Sequence, residues 1–533
     1  VRKVRICFDE SESGKRVYDC LVSRGIDFGA PCAGNGWCGG CGVLIVAGEA
    51  VCHHCLARVP DKCAERAAAG EYVYACRSYV TPGLVIETVD REISVLTAFD
   101  NRLLESANGA RTSDGRAGNA GRAGHAVAVD VGTTTLAAAL IDLDARTVIR
   151  SAACVNPNRL FGADVMSRLS ACMNDDGALK KMRSALVGAL RSLITGVSGG
   201  ERLLPAAVTG NTVMLHILRG VSPVGMAAYP FKPAFLDAAV CPGTDLGLDS
   251  GRTLIAPSAS AFIGADVVGG VYAAGLTSLA RPSLLIDLGT NGECVLCTGY
   301  LRGARLLAAS AAGGPALEGG GISCGVAAVS GAICRAALAP DGVIEFVTVN
   351  GTPPVGVCGS GIIDLVAVWL DLFGENGVLT DACPKREIVG RHVSDSGSFI
   401  KNYDNTGLFF DRDDLHGVML AKAALRASVE YLLEHARLKA DELDRVYLAG
   451  GFGKGISAIS ARRIGLLPDS SASVIAPGNL ALAGSALALI DGIDPLRDAA
   501  RKINVVDCSG EETFDRLFIE HLGFADRKKG DSL

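Results

Sequence analysis

A chain of 533 residues is longer than a single hydrophobic core supports, so about two to four domains are expected. Hydrophobic residues make up 49% and charged residues 20%, which excludes wholesale disorder. The net charge of −6 excludes a general nucleic-acid binder, which needs a positive footprint. No apolar run reaches the length of a membrane span, and the opening VRKVRICFDE is too polar for a signal peptide, so a soluble, cytoplasmic protein is expected.

In chain order, residues 1–92 read as short alternating strands, VRKVRICF, CGVLIVAG and GLVIETV, around a loop rich in Gly and Cys. A helix is expected near Ser94–Leu104. The stretch ESANGARTSDGRAGNAGRAGHA lacks hydrophobic periodicity and reads as a flexible linker, so residues 93–125 form a helix and linker. From Ala126 onward, apolar strands ending in glycine turns alternate with helices. The clearest amphipathic helix is Gly417–Leu438, with Leu420, Ala424, Ala427, Tyr431 and Leu432 near one face.

The 19 cysteines point to metal rather than disulfides in a chain without secretion signals. Cys32, Cys38 and Cys41 form C-x5-C-x2-C, with Cys76 as a distant fourth thiol. Four thiolates are what a [2Fe–2S] cluster requires, although the plant-type first gap is one residue shorter. The glycines between them let backbone N–H groups turn toward sulfur and tune the potential. A zinc ribbon built on Cys38-x2-Cys41 and Cys52-x2-Cys55 is the rival, and it leaves Cys32 and Cys76 without a role. The group Cys52, His53, His54, Cys55 and Cys63 is either a second metal site or an insertion with free thiols.

Two segments share one design. AVAVDVGTTTLAAALIDL (Ala126–Leu143) and SLLIDLGTNGECVLC (Ser283–Cys297) each read as strand, Asp-x-Gly-Thr turn, strand, which predicts two related half-domains facing each other. In the first turn, Gly132, Thr133 and Thr134 suit phosphate oxygens, and Asp130 suits Mg²⁺ or its waters. In the second, Asp287, Gly289, Thr290, Asn291 and Gly292 repeat the arrangement, and Glu293 is placed to orient an attacking water. A third element ends a strand in Gly450, Gly451, Phe452 and Gly453, a turn suited to an adenosine ring and ribose. Gly359 and Ser360 are further candidates for the phosphate cleft or a partner-facing surface. Cys324 and Cys358 read as small buried residues, His216 as a satisfied core histidine, and Asn211 and Thr212 as a helix cap or a nucleotide contact.

The order phosphate 1, phosphate 2, adenosine resembles the actin/sugar-kinase/Hsp70 superfamily. More narrowly, the chain from Val4 nearly to Gly523 resembles the reductive activators of corrinoid-dependent enzymes. The resemblance is carried by DVGTTT, VTGNTVMLHILRG, GADVVGG, IDLGTNGE, GGGISCGVAAVSGAI, VCGSGIIDL, LAGGFG and IGLLP. The insertion around Cys52–Cys63 departs from the family, and a C-terminal cysteine cluster is absent from the sequence.

The resemblance implies an α+β multidomain chain. A β-grasp [2Fe–2S] ferredoxin-like domain would occupy residues 1–92, followed by the linker. A two-lobed α/β ATPase fold would follow, with its first part over 126–205 and its main part over 206–533. It also implies ATP and Mg²⁺ as cofactors, and ATP-dependent transfer of one electron to the inactive cobalt(II) corrinoid of a methyltransferase system. Asp130, Asp287 and Glu293 would be its catalytic residues. The partners would be that corrinoid protein, an external low-potential electron donor and, in a homodimer, a second copy. Three other readings remain open on the residues: an ATP-gated donor to another low-potential enzyme, a nucleotide-binding redox sensor, and a small-molecule kinase.

Overall fold

The computed structural model describes residues 2–24, 42–52, 66–70, 72–90, 99–106, 124–162, 164–289, 291–311, 313–375, 378, 384–450 and 455–524. Cys32, Cys38, Cys41, His53, His54, Cys55, Cys63, Thr290, Gly451, Phe452, Gly453 and most of the expected linker lie outside the described residues.

The N-terminal strands form where the sequence alternates. Strands β1 (Arg2–Cys7), β2 (Gly42–Ala47), β3 (Tyr72–Tyr74) and β4 (Val85–Asp90) make one sheet in the order β1-β4-β2-β3. Helix α1 (Val17–Ser23) closes it, burying Val17, Tyr18 and Leu21 with Val43, Ile45, Leu84 and Ile86. The first described residue after this unit is Phe99, in an isolated bridge to Gly478, and a short helix α2 follows at Arg102–Ser106. Phe99 and Leu104 are buried in the core of the following domain. Of the helix expected near Ser94–Leu104, residues 94–98 lie outside the described residues, and the described part is helical from Arg102.

The next sheet begins with β5 (His125–Val131), β6 (Thr135–Asp142) and β7 (Thr147–Val155), an antiparallel meander. β5 is buried on both faces, as a central strand read as VAVDV should be. Helices α3 (Val165–Asn174) and α4 (Ala178–Ser198) follow. In α4, Met182, Leu186, Leu190, Leu193 and Val197 recur on one face and are buried. Strand β8 (Ala206–Gly210) then pairs parallel with β5. After it come α5 (Thr212–Arg219), β9 (Ala239–Pro242), β10 (Arg252–Ile255) and α6 (Ala265–Ala273). The sheet order is β7-β6-β5-β8-β10-β9.

The second large sheet repeats the plan. β11 (Ser283–Leu288), β12 (Gly292–Cys297) and β13 (Leu306–Ala311) form another antiparallel meander. A five-stranded sheet is inserted next, with β14 (Ala332–Leu338), β15 (Ile344–Thr348) and β16 (Gly356–Val357) before helix α7 (Gly359–Phe373), and β17 (Gly390–Val393) and β18 (Phe399–Tyr403) after it. The long helix α8 (Arg412–Ala436) returns to β19 (Arg445–Ala449), which pairs parallel with β11 just as β8 pairs with β5. β20 (Ser473–Gly478), α9 (Leu480–Asp491) and β21 (Ile503–Val505) complete the order β20-β19-β11-β12-β13-β21. The two half-domains read from the repeated hairpins are therefore present as topology. Helix α8 buries Val418, Ala421, Leu425, Val429 and Leu432, whereas Leu420, expected on the apolar face, is 36% exposed.

The halves meet where α6 crosses α9. A side chain on Gly484 would place its Cβ 2.3 Å from the Cα of Gly269, so this crossing admits no side chain there. Among the described residues, no helix is long and apolar enough to cross a membrane.

Candidate nucleotide cleft

Three chain reversals converge between the two large sheets. They are the β5–β6 turn, the β11–β12 turn and the end of β19, and they line an open cleft of about 770 Å³. Asp130, Gly132, Thr133, Thr134, Asp287, Gly289, Asn291, Glu293 and Gly450 all line it. Gly450 has φ +101°, and a Cβ there would sit 2.2 Å from the Leu288 carbonyl oxygen. Only glycine lets β19 end so close to the second turn.

Not every candidate residue is in that wall. Gly292 is turned toward α8, where an added Cβ would meet Leu425 Cδ2 at 2.1 Å, so it serves packing. Ser360 lines a different cavity of about 720 Å³, together with Cys334, Arg335, Thr348, Asn350 and Gly455. There its hydroxyl donates to the Cys334 carbonyl oxygen at 2.8 Å. Gly359 begins α7 beside it and is buried. Cys324 and Cys358 are buried, as small apolar residues in glycine turns should be. His216 is fully buried; its Nδ1 meets the Thr212 carbonyl oxygen at 2.7 Å and its Nε2 accepts from the Ala234 N–H at 3.0 Å.

Four cleft residues were not read as site residues from the sequence, or only half so. Asn211 caps α5 through the Met214 N–H, as one reading of it expected, and also donates to Thr133 Oγ1 at 2.8 Å. Asp266 opens α6 inside the GADVVGG segment, Glu318 lies 3.5 Å from Thr134 Oγ1, and Asn479 donates to Asp130 Oδ2 at 3.0 Å. The signal available for Asp266 and Asn479 was a single polar residue at the start of an otherwise apolar helix.

Five carboxylates thus line one cleft, and no Lys or Arg is among the described lining residues. Burial pushes Asp130 up to about 6, against the lowering effect of the Asn479 hydrogen bond. Asp287 is pushed up to about 8, first by burial and then by the charges of Asp266, Asp130 and Glu318. Asp266 and Glu293 move upward for the same two reasons in the same order. Such an all-oxygen donor set suits a hard divalent cation such as Mg²⁺, whose charge would relieve the repulsion. No three of these carboxylates converge to hold an ion directly, so the cleft fits a Mg²⁺ that keeps its waters and phosphate oxygens and touches one or two carboxylates.

In the N-terminal unit, Cys76 is buried in the short turn after β3. The β2–β3 register sets Gly42, the residue after Cys41, opposite Tyr74, two residues before Cys76. Of the four candidate thiols, Cys76 is the one among the described residues. Among the described residues no group of three or more His, Cys, Asp or Glu is arranged to hold a metal ion.

Comparison with known proteins agrees with this architecture. Residues 125–279 match the RACo middle region, and residues 281–531 match the C-terminal domain of RACo, the ASKHA domain. The corrinoid activation enzyme RamQ of Eubacterium limosum is 30% identical over 392 residues, 69% of this chain and 64% of that protein. The chain thus spans somewhat less than two thirds of that relative's length. The [Co(II) methylated amine-specific corrinoid protein] reductase of Methanosarcina barkeri is 26% identical, over 75% of this chain and 77% of its own. A solved reductive activator for corrinoid, iron–sulfur protein superposes with a TM-score of 0.66 at 25% identity, covering 97% of this chain and 96% of that one. Two adjoining family regions, a cleft built from duplicated hairpins and a structural match over 97% of the chain lead to one assignment: the chain belongs to the RACo family.

Proposed function

We propose that this protein is an ATP-dependent reductive activator that returns the inactive cobalt(II) corrinoid of a methyltransferase system to cobalt(I). The observation that carries the proposal is the cleft itself, where two Asp-x-Gly-Thr hairpins and the end of β19 meet over five carboxylates. The relatives' names supply the corrinoid as the acceptor.

The residues divide the work by position. The turn N–H groups and the hydroxyls of Thr133 and Thr134 would receive phosphate oxygens, with Asn211 fixing the Thr133 side chain. Asp130 and Asp287 would hold Mg²⁺ or its waters, and Asp130 is already oriented by Asn479. Glu293 would orient the attacking water. Gly450 lines the cleft and Gly455 the cavity at Ser360, which would take the nucleoside end.

Cys32, Cys38, Cys41 and Cys76 would hold a [2Fe–2S] cluster, which supplies one-electron chemistry at about −400 mV. Cobalt(I) lies uphill of such a donor, and each ~59 mV of gap is a factor of ten for one electron. A gap of one to two hundred millivolts is about 2–5 kcal/mol, which a nucleotide can offset if its bound states differ in affinity for the partner.

The deciding experiment is anaerobic. The reduced protein is mixed with a cobalt(II) corrinoid protein, with and without Mg-ATP, and cobalt(I) is followed by its absorption. Growth of cobalt(I) that needs ATP and is lost in the Asp130→Ala/Asp287→Ala double variant is expected. Equal growth without ATP would remove the nucleotide from the mechanism.

A further inference from the structure

The first phosphate turn is held from behind by one short piece of chain. All three of its successive carbonyls are taken. Asn156 Nδ2 donates to the Gly132 oxygen at 2.8 Å, Arg168 Nη2 to the Thr133 oxygen at 2.6 Å, and the Asn156 backbone N–H to the Thr134 oxygen at 2.9 Å. In a planar trans peptide the N–H points opposite to the carbonyl, so these bonds aim the N–H groups of Thr133, Thr134 and Thr135 away from the latch. Arg168 also donates through Nε to the Gly162 carbonyl at 3.1 Å, which closes the far end of the same piece. Asn156 and Arg168 are both fully buried. Arg168 Nη1 meets the Met214 sulfur at 2.9 Å, and burial, then the charge of Arg159, lowers the Arg168 pKa to about 9. A buried cation spent on two carbonyls costs stability, which makes a purely structural filler an expensive choice.

Between the two latched ends, Pro157–Phe161 forms a single 3-10 turn whose N-cap is Asn156. That turn packs on α3 and α4, with Phe161 against the core of the large domain, and its other side faces the N-terminal unit. Leu160 packs against the core of the N-terminal unit, and α1 lies against the turn. One seven-residue segment, 156–162, is therefore hydrogen-bonded to the nucleotide turn directly at Asn156 and through Arg168 at Gly162, and its Leu160 packs against the unit that carries Cys76.

We propose that Asn156 and Arg168 are positioning residues, and that the Leu160 turn is the docking surface through which the nucleotide turn sets the seating of the N-terminal unit. The partner this surface fits is the chain's own N-terminal unit, seated over α1. The proposal rests on the nucleotide-binding reading of the cleft. When phosphates occupy the turn, its peptides stiffen, segment 156–162 stiffens with them, and the N-terminal unit is held more firmly at Leu160. When the turn is empty, the unit is released more readily. Coupling of this kind between two sites is commonly 5–150-fold.

Hydrogen–deuterium exchange on the full chain, with and without Mg²⁺ and the non-hydrolysable analogue AMP-PNP, tests this directly. In the natural protein the analogue should slow exchange at residues 131–135 and, by about tenfold, at α1 over Val17–Ser23. In Leu160→Ala, and more completely in Leu160→Asp, residues 131–135 should still be protected while the effect at α1 disappears. Asn156→Ala should weaken analogue binding and the α1 effect together. Arg168→Lys should keep more of both than Arg168→Met, with the melting temperature of each variant read alongside. Protection of the turn without any response at α1 overturns the inference and leaves the nucleotide reading standing. An α1 response that survives Leu160→Asp also overturns it. No protection at the turn itself sinks the nucleotide reading, and this inference with it.

Discussion

Asp287 and Glu293 are direct partners across the β11–β12 hairpin, so two carboxylates that repel each other are held face to face at the mouth of one turn. A neutral pair would be more stable there. The arrangement suits one carboxylate on a cation and the other on water. Glu293→Gln should leave Mg-ATP binding within about threefold and lower ATP turnover by about 10²-fold or more. Asp287→Asn should instead weaken binding of Mg-ATP. Calorimetric binding and phosphate release, measured on both variants, separate the two roles; equal loss of binding in both would refute the division.

The same carboxylates set a pH dependence of stability. Asp130 and Asp287 have ordinary values of 3.8 when unfolded and are raised to about 6 and about 8 in the empty fold. The folded protein thus holds protons that the unfolded chain releases, so stability falls as pH rises above 3.8, until about 6 on account of Asp130 and until about 8 on account of Asp287. Mg²⁺ binds the ionised forms, so it should restore what the protons no longer supply. The melting temperature in a chelator should drop between pH 6 and pH 8.5, and the rise produced by millimolar Mg²⁺ should be larger, by about a few degrees, at the higher pH. A larger effect of Mg²⁺ at pH 6 would contradict this.

The crossing of α6 and α9 offers a test of the join between the halves. Gly484→Ala would set a Cβ against the backbone of Gly269, and backbone cannot swing aside as a side-chain tip can. A cost of about 1–3 kcal/mol is expected, read as a lower melting temperature or denaturation midpoint. The nucleotide turns themselves are untouched by this change. If the halves separate slightly to admit the methyl, nucleotide affinity should fall together with stability.

Much of this was legible because strands and turns announce themselves locally. The two apolar strands around Asp-x-Gly-Thr predicted hairpins, and the parallel pairing of β8 with β5 and of β19 with β11 makes the repeat three-dimensional. What stayed hidden depends on long-range packing. Glu318 reaches the cleft only because its segment folds back onto it, and it has no local pattern that distinguishes it from a solvated acid, whereas Asp266 offered only its place as the lone acid of an apolar helix. Gly292 looked like part of a phosphate loop, yet its lack of a side chain is used by Leu425, more than a hundred residues away in sequence. Leu420 matched a helical apolar stripe, but the buried face of α8 runs through Val418, Ala421 and Leu425 instead. Asn156 and Arg168 carried no signal, since a buried Arg bonded to carbonyls has no sequence pattern of its own.

The N-terminal unit is where one substitution decides most. Cys76 is buried in the turn after β3. Anaerobically purified protein should contain two irons and two sulfides per chain and show one unpaired electron after reduction, as a [2Fe–2S] cluster does. Cys76→Ala should lose most of the iron and the visible absorption while the nucleotide cleft, in another part of the chain, still binds Mg-ATP. Full retention of iron in Cys76→Ala would move the fourth ligand elsewhere, with Cys52, Cys55 and Cys63 the next thiols to replace. A colourless protein carrying zinc would overturn the electron-transfer reading, because zinc has no redox chemistry to deliver to cobalt.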